Sequence, residues 1–294
     1  MDRIGLDGGR QATFEVLGDG VAALMLPGGP GLSARYMRGT AELFHAWFAS
    51  YLVDPHGSGG SSAPADPASY SPEGHARFYE EVRAALRLDK VILIGHSFGA
   101  TTALTYAALF PNVVDRVIAI APFGMGSAVD ESEGGAAAVE MDEMLARHAG
   151  SEWHPKAREA WDTWTERILA AENAAVAEEM LRVVLPLYVA HPDDPTVRAK
   201  MEEFGRDIKV DLTAMKAWEA GLYQGIDLRP AVGQISCPTL LVAGELDLIC
   251  GPAQAGPIHD ALPDSTLQII PDCGHMAVIE KPDELRHVVL DWLG

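Results

Sequence analysis

The sequence predicts an α/β protein with a mostly parallel central sheet, flanking helices and one inserted all-helical segment. Apolar strand-like runs alternate with helical periods up to about Pro122, and such alternation implies crossover connections between parallel strands. The strand pattern then disappears and returns only at residue 238. We therefore expect a core domain built from residues 1–123 and 232–294, interrupted by an all-helical insertion over residues 124–231.

Periodicity assigns the elements of the first part of the chain. Alternating or continuous apolar runs predict strands over 12–17, 21–26, 50–54, 90–96 and 114–121. Apolar residues at helical spacing predict helices over 33–48, 72–88 and 98–110. The last helix should stop before Pro111, because the residue before a proline avoids the helical region.

The second part of the chain begins with helical patterns. Helices are expected near 129–149, 174–189, 195–206 and 211–223, and around Trp161, Trp164 and Ile168, which have the i, i+3, i+7 spacing. Pro186 should end or kink the helix that contains it. Strands follow at Pro238–Ala243 and Leu267–Ile270, separated by a helix at about Pro252 to Leu262.

The most informative motif is Gly95-His96-Ser97-Phe98-Gly99, directly behind the apolar run Val91–Ile94. A serine between a strand end and a helix start lies in a tight turn that exposes its hydroxyl. The turn brings both backbones together, so the residues two before and two after must be small, as Gly95 and Gly99 are. Chance occurrence is the alternative, but the strand-before, helix-after context favours Ser97 as a nucleophile.

A serine hydroxyl needs an adjacent base to attack at neutral pH. After a nucleophile elbow, the acid comes next in chain order and the histidine last. Asp247 follows one predicted strand and His275 follows the next. Both should lie at the sheet edge where ligands bind in open α/β sheets. We predict Asp247 and His275 as the partners of Ser97.

Neighbouring residues offer alternatives for these roles. Glu245 lies two residues before Asp247 and ranks second as the acid. Asp272 is only three residues from His275, an awkward position from which to reach its ring. His96 stands beside the nucleophile but occupies the variable position of the motif.

The oxyanion of a tetrahedral intermediate needs backbone N–H donors. One donor belongs to the residue after the nucleophile, Phe98. The other should come from a glycine-rich loop, and Pro27-Gly28-Gly29-Pro30-Gly31 follows the predicted strand 21–26. Three glycines and two prolines exceed what a simple turn needs. We predict Gly29 as the second donor, because the glycine pair lets the backbone approach a substrate closely.

Five motifs stand in a characteristic order along the chain. They are Gly28-Gly29-Pro30-Gly31, Asp54 with Gly57-x-Gly59-x-Ser61, the serine motif, Gly244-x-x-Asp247 and Gly274-His275. Together they resemble the α/β-hydrolase superfamily, and within it the proline iminopeptidase branch, over roughly residues 20 to 123 and 236 to 293. The resemblance implies a serine hydrolase that releases small N-terminal residues from peptides.

Three departures from the iminopeptidase pattern bear on whether the substrate is a peptide. Pro27 replaces a histidine, His56 replaces an arginine, and the elbow reads G-H-S-F-G where G-G-S-W-G is usual. The predicted triad and oxyanion loop are intact. A carboxylesterase or lactonase acting on a small ester is the second hypothesis, and the elbow permits it equally well. A non-catalytic ligand-binding protein on the same fold is the third, although such a protein would usually lack the serine or the histidine.

The helical insertion over residues 124–231 lies where the α/β-hydrolase superfamily has its cap, or lid. This predicted cap supplies candidate substrate contacts. Residues 129–230 carry 21 acidic and 11 basic side chains. In an aminopeptidase, cap carboxylates would bind the α-ammonium group, and Glu202 and Glu203 are candidates. Trp164 and Trp218 are candidates for lining an apolar pocket. The ordinary alternatives are a solvated acidic face for the carboxylates and packing of the cap for the tryptophans.

Composition limits the partners. A chain of 294 residues that is 48% hydrophobic can bury a large core, and its net charge of −20 argues against nucleic acids and anionic membranes. No apolar run approaches the roughly 20 residues that span a bilayer. Residues 1–11 lack the apolar region of a secretory signal, so we expect a cytoplasmic protein. The three cysteines show no metal spacing. We expect a small-molecule or short-peptide substrate, no cofactor and no metal.

Overall fold

The computed structural model describes residues 1–124, 145–146, 148–221 and 227–294. Their strands are β1 (Asp2–Gly5), β2 (Gln11–Leu17), β3 (Val21–Leu26), β4 (Phe48–Val53), β5 (Val91–His96), β6 (Val114–Ile120), β7 (Thr239–Gly244) and β8 (Ser265–Ile270). They form one sheet in the order β1-β2-β4-β3-β5-β6-β7-β8. The pairs β1/β2 and β2/β4 are antiparallel, and all others are parallel. The predicted fold class is confirmed.

The α-helices of the described residues connect and cover these strands. They are α1 (Arg38–Leu43), α2 (Pro72–Ala85), α3 (Phe98–Leu109), α4 (His154–Asp162), α5 (Trp164–Ala170), α6 (Ala174–Val184), α7 (Pro195–Asp207), α8 (Leu212–Glu219), α9 (Arg229–Val232), α10 (Pro252–Ala261), α11 (Ala277–Glu280) and α12 (Pro282–Leu293). Short 3₁₀ turns lie at Asp7–Gly9, Ala34–Met37, Pro67–Tyr70, Pro111–Val113 and Leu185–Tyr188.

Helices cover both faces of the sheet. On one face, α2, α3 and α10 contribute Val82, Ala103 and Ile258 to a core shared with the strands. On the other face, α1 and α12 contribute Ala41 and Leu285 to a second core. Strand β5 is consequently buried along its whole length, which explains its continuous apolar run. This central strand carries the serine motif to the carboxyl edge of the sheet.

Three elements differ from their sequence predictions. Strand β1 was not predicted, because its residues Asp2–Gly5 are mostly exposed at the sheet edge and carry no apolar alternation. The predicted helix 33–48 is a 3₁₀ turn followed by the short α1. The helix predicted through Trp161 and Ile168 is broken at Thr163, whose backbone leaves the helical region between α4 and α5. Pro186 does follow the end of α6, as expected.

Helices α4 to α8, named here the overlying helices, stand between β6 and β7 in the chain. Their apolar side chains Met180, Met201 and Met215 form a core with Leu32 and Met276 from loops of the sheet edge. They therefore pack directly on that edge. Most of the helix predicted over 129–149 lies outside the described residues, and the predicted division into core and cap domains stays a prediction. No helix of the described ranges is long and apolar enough to cross a membrane.

Candidate active site

Ser97 occupies a strained turn between β5 and α3. Its backbone has φ 56° and ψ −125°, a positive φ that non-glycine residues adopt only under structural constraint. A Cβ atom at Gly95 would collide with the Gly99 carbonyl oxygen, and one at Gly99 would collide with the Leu26 carbonyl oxygen. The small residues predicted around the serine are therefore required by backbone contact.

Asp247 and His275 form a buried pair on the loops after β7 and β8. Their Oδ2 and Nδ1 atoms are 2.8 Å apart, and their side chains are 0% and 1% exposed. The backbone N–H groups of Ile249 and Cys250 donate to the other carboxylate oxygen at 2.8 and 2.9 Å. Burial alone would raise the pKa of Asp247, but the charge of His275 and these hydrogen bonds lower it. The acid is thus held ionised.

The hydrogen bond to Asp247 determines the tautomer of His275. A carboxylate only accepts, so Nδ1 carries a proton, and in the neutral imidazole Nε2 then presents a lone pair. This Nε2 atom is buried and has no hydrogen-bond partner among the described residues. The ring of Tyr188 packs edge-on against the imidazole at 5.5 Å. The site therefore contains an oriented, unused proton acceptor.

Two residues lie near both the acid–histidine pair and the turn at Ser97. The Cys250 N–H donates to Asp247, and burial raises the pKa of its thiol, an effect that the Ser97 side chain opposes. The ring of His96, the residue before Ser97, lies 4.6 Å from the ring of His275. The structure thus brings Ser97, Asp247 and His275 to one edge of the sheet.

The glycine-rich loop after β3 passes over the nucleophile. Gly29 and Gly31 have φ values of +109° and +88°, which favour glycine. A Cβ atom at Gly28 would lie 3.2 Å from the Ser97 Cβ atom. Phe98 begins α3, and the first N–H groups of a helix have no intrahelical acceptor. The two predicted oxyanion donors therefore belong to backbone segments next to Ser97.

The Asp54 motif supports this loop. One Asp54 oxygen accepts the Ala34 N–H at 2.9 Å, and the other accepts the Thr13 hydroxyl at 2.6 Å. The Ser61 hydroxyl donates to the Asp54 carbonyl, and the Ser58 hydroxyl donates to the Gly31 carbonyl at 3.0 Å. The motif Gly57-x-Gly59-x-Ser61 thus folds a turn that is hydrogen-bonded to the predicted oxyanion loop.

Sequence reasoning missed two polar residues that hold the histidine loop. His96 bonds through Nε2 to the His275 carbonyl at 2.8 Å. Glu280 accepts the N–H of Gly274 at 2.9 Å and that of Ala190, in the segment before α7, at 2.7 Å. Burial raises the Glu280 pKa despite these donors. The only sequence signal for His96 was its replacement of a glycine in the iminopeptidase pattern.

The alternative acids are engaged elsewhere. Glu245 accepts the backbone N–H of Asp272 at 3.0 Å. The exposed Asp272 carboxylate pairs with His191 at 2.5 Å and with Lys281 at 3.1 Å. The structure therefore places Asp247, rather than either alternative, against the His275 ring.

The predicted cap contacts divide into two groups. Glu202 and Glu203 lie exposed on α7. Trp218 packs edge-on against Phe98 at 5.8 Å. Trp164 donates its indole N–H at 2.8 Å to Glu219, a carboxylate that the sequence did not single out.

Glu219 is partly buried, unlike the exposed Glu202 and Glu203. Its other oxygen accepts the Thr165 hydroxyl at 2.6 Å. Its charge is close enough to Tyr188 to help burial raise the pKa of that phenol, together with Cys250 and Asp247. Tyr188 in turn packs edge-on against the ring of His275, the predicted base.

Comparison with known proteins agrees with the fold. The chain is 25% identical over 281 residues to a proline iminopeptidase of Clostridium botulinum, which covers 95% of this chain and 92% of that relative. It is 24% identical to bifunctional epoxide hydrolase 2 of Sus scrofa, but it spans only 52% of that protein. An α/β fold family hydrolase from Bacillus anthracis superposes with a TM-score of 0.76 at 15% identity, covering 99% of this chain and 98% of the other.

The family match extends over most of the chain. The sequence pattern described as the alpha/beta hydrolase fold matches residues 23–282. That range includes the serine turn, the oxyanion loop and both members of the buried acid–histidine pair. The chain resembles proline iminopeptidases in sequence, and it belongs to the α/β hydrolase fold family.

Proposed function

We propose that the protein is a serine hydrolase that cleaves an acyl bond through a covalent acyl-enzyme. Ser97 attacks the carbonyl carbon while His275 Nε2 takes the hydroxyl proton, and Asp247 stabilises the resulting imidazolium. The N–H groups of Gly29 and Phe98 bind the oxyanion. His275 then protonates the leaving group, and water resolves the acyl-enzyme.

The observation that carries this proposal is the buried Asp247–His275 pair with its unpartnered Nε2 atom. A buried polar atom without a partner costs about 1–3 kcal/mol, so it needs an explanation. Proton transfer from the neighbouring nucleophile supplies one. A serine at position 97 also disfavours epoxide and haloalkane hydrolysis, for which an aspartate would be expected.

For the substrate we propose a proline iminopeptidase-like aminopeptidase or amidase. Its support is the similarity to proline iminopeptidases over almost the whole chain and the partly buried carboxylate of Glu219 beside Tyr188. A carboxylate there would attract the α-ammonium group of an N-terminal residue. The acidic net charge of −20 also favours a cationic substrate over an anionic one.

The second candidate is a carboxylesterase or lactonase on a small ester. The packing of Trp218 against Phe98 favours it, because an apolar wall next to the nucleophile turn suits an uncharged acyl group. A non-catalytic binding protein is a weaker alternative, since such a protein has no need for a strained serine beside an oriented histidine.

Two chromogenic substrates assayed in parallel separate these candidates. We expect hydrolysis of both L-proline p-nitroanilide and p-nitrophenyl acetate, and covalent labelling of Ser97 by a fluorophosphonate. Cleavage of the ester alone would remove the aminopeptidase assignment and retain the esterase. Absence of labelling, with no turnover across a wide panel, would favour the binding protein.

A further inference from the structure

Tyr36 and His96 form a hydrogen-bonded pair inside the site that the proposed mechanism does not use. The Tyr36 hydroxyl oxygen lies 2.5 Å from His96 Nδ1. His96 Nε2 lies 2.8 Å from the carbonyl oxygen of His275. Tyr36 follows the oxyanion loop in the chain, and its ring also meets Phe204 of α7 at 5.2 Å. The pair thus spans the site from the overlying helices to the histidine loop.

The direction of both hydrogen bonds follows from elementary chemistry. A backbone carbonyl only accepts, so His96 Nε2 must carry a proton. Burial, aided by the charge of His275, lowers the pKa of His96 to about 3, so the ring is neutral and Nδ1 carries none. Nδ1 therefore accepts the phenol proton of Tyr36. Burial in turn raises the Tyr36 pKa well above its ordinary value, so the phenol keeps that proton.

The hydrogen bond to His96 determines whether the Tyr36 hydroxyl can donate or accept a further hydrogen bond. A phenol has one proton and two lone pairs, and the proton is directed at His96. Within the described residues, the other polar neighbour of the hydroxyl is the Met276 sulfur at 3.8 Å, a weak acceptor that competes with His96 for the same proton. The Tyr36 oxygen is consequently an acceptor for any further group.

The Tyr36 oxygen lies on the same side of the oxyanion loop as the nucleophile. A Cβ atom at Gly28 would be 2.9 Å from the Tyr36 oxygen and 3.2 Å from Ser97 Cβ. Both atoms therefore flank one point of the loop. A substrate acylating Ser97, with its oxyanion at Gly29 and Phe98, would place the substituents next to its carbonyl carbon close to Tyr36.

We propose that Tyr36 is a specificity-determining residue that accepts a hydrogen bond from an amine or ammonium group next to the scissile carbonyl, with His96 as its positioning residue. This inference rests on the proposed serine hydrolase function. It assigns the site a preference for acyl groups bearing an N–H donor over otherwise identical acyl groups without one. A role for Tyr36 as an additional oxyanion donor is disfavoured, because its proton is already directed at His96.

The test compares two esters that differ only in that amine, L-alanine p-nitrophenyl ester and p-nitrophenyl propionate. Wild type and Tyr36→Phe are assayed at mildly acidic pH, below the ordinary α-amino pKa of about 7.7–8.0. We expect the kcat/KM ratio of the alanyl to the propionyl ester to fall about 10- to 100-fold in the variant, as for loss of a hydrogen bond to a charged group. The propionyl ester should lose far less, because it has no amine for Tyr36 to bind.

Control variants make the outcomes distinct. Tyr51→Phe, on β4, should leave both rates and the ratio unchanged. His96→Gly, which installs the iminopeptidase residue, should lower the ratio partly, because the released phenol proton can then point into the site. A thermal unfolding midpoint for each variant checks that the fold is retained.

Two results would overturn the assignment. Equal losses on both esters in Tyr36→Phe would mean a structural or oxyanion role, and an unchanged ratio would mean that no amine reaches the residue. If wild type cleaved neither ester and Ser97→Ala behaved like wild type, the proposed function itself would fail, and this inference with it.

Discussion

The carboxyl edge of the sheet and the overlying helices use polar side chains in different ways. At the edge, Asp247 and His275 are almost fully buried, and backbone N–H groups complete the coordination of the carboxylate. In the overlying helices, Glu202 and Glu203 are exposed, and Glu219 is held by side chains rather than by the backbone. The difference teaches that the edge holds Asp247 ionised through buried hydrogen bonds, while the carboxylates of the overlying helices keep contact with solvent.

The largest expected effect comes from the edge. Ser97→Ala should reduce turnover by at least about four orders of magnitude, because it removes the attacking oxygen. The fold should be retained, since alanine is no larger than serine at this backbone position. Steady-state kinetics with a thermal unfolding midpoint measure both quantities. Retained activity would exclude the elbow as the source of the nucleophile.

Asp247→Asn should have the next largest effect on turnover. The amide can stabilise the wrong tautomer of His275, and a comparable change costs a factor of about 10⁴ in kcat. Glu245→Gln is the matched control, because that carboxylate contacts the Asp272 N–H rather than the imidazole. A loss in the control as large as that in Asp247→Asn would move the acid assignment to Glu245.

A smaller effect is expected from the overlying helices. Glu219→Gln should lower kcat/KM for amine-bearing substrates about tenfold through loss of a charge-assisted contact, with little change for uncharged esters. Glu203→Gln, on the exposed face of α7, should change neither rate. A greater loss from Glu203→Gln would instead support the ammonium site predicted from the sequence.

The last expected effect concerns stability at low pH rather than activity. His56 is 3% exposed and its ring lies 4.3 Å from that of His75. Burial lowers the His56 pKa from 6.5 to about 4. Between these values the unfolded chain binds more protons than the folded one, so stability falls as pH drops. The loss is up to about 1.4 kcal/mol per pH unit for each such group.

The variant His56→Phe isolates this contribution. The free energy of unfolding, measured with denaturant from neutral pH down to about pH 4, should fall less steeply in the variant than in wild type. The absolute stability of the variant can differ for other reasons, since phenylalanine also loses the favourable influence of the Ser69 backbone on the imidazole. An unchanged slope would show that His56 is not a neutral buried group in the folded state.

The contrast between the two regions also explains what the sequence could reveal. Gly95 and Gly99 are demanded by backbone collisions at a turn, so the serine motif has a short, readable pattern. Asp247 and His275 each follow a strand end, and strand ends are marked by apolar runs. The fold class and the positions of these residues followed from such local rules.

The remaining contacts join residues that are far apart in the chain. The Trp164–Glu219 bond spans 55 residues, and the Tyr36–His96 bond spans 60. Each partner lies in an ordinary local pattern, so nothing in the sequence alone marks the pair. The sequence predicts Glu202 and Glu203 as substrate contacts because a cluster of acids in a helix is visible locally. Which face of the helix carries them depends on packing, which the sequence does not show directly. Strand β1 could not be predicted from the sequence, because an exposed edge strand needs no apolar alternation.

Two backbone contacts link the sheet edge to the overlying helices. Leu32 pairs with Val210 between α7 and α8, and the Asp211 N–H donates to the Gly31 carbonyl at 2.8 Å. The loop that contains Gly29 is thereby hydrogen-bonded to the segment between α7 and α8. A displacement of that segment would move the oxyanion donor that we propose at Gly29, and so would change how well the site polarises a substrate carbonyl.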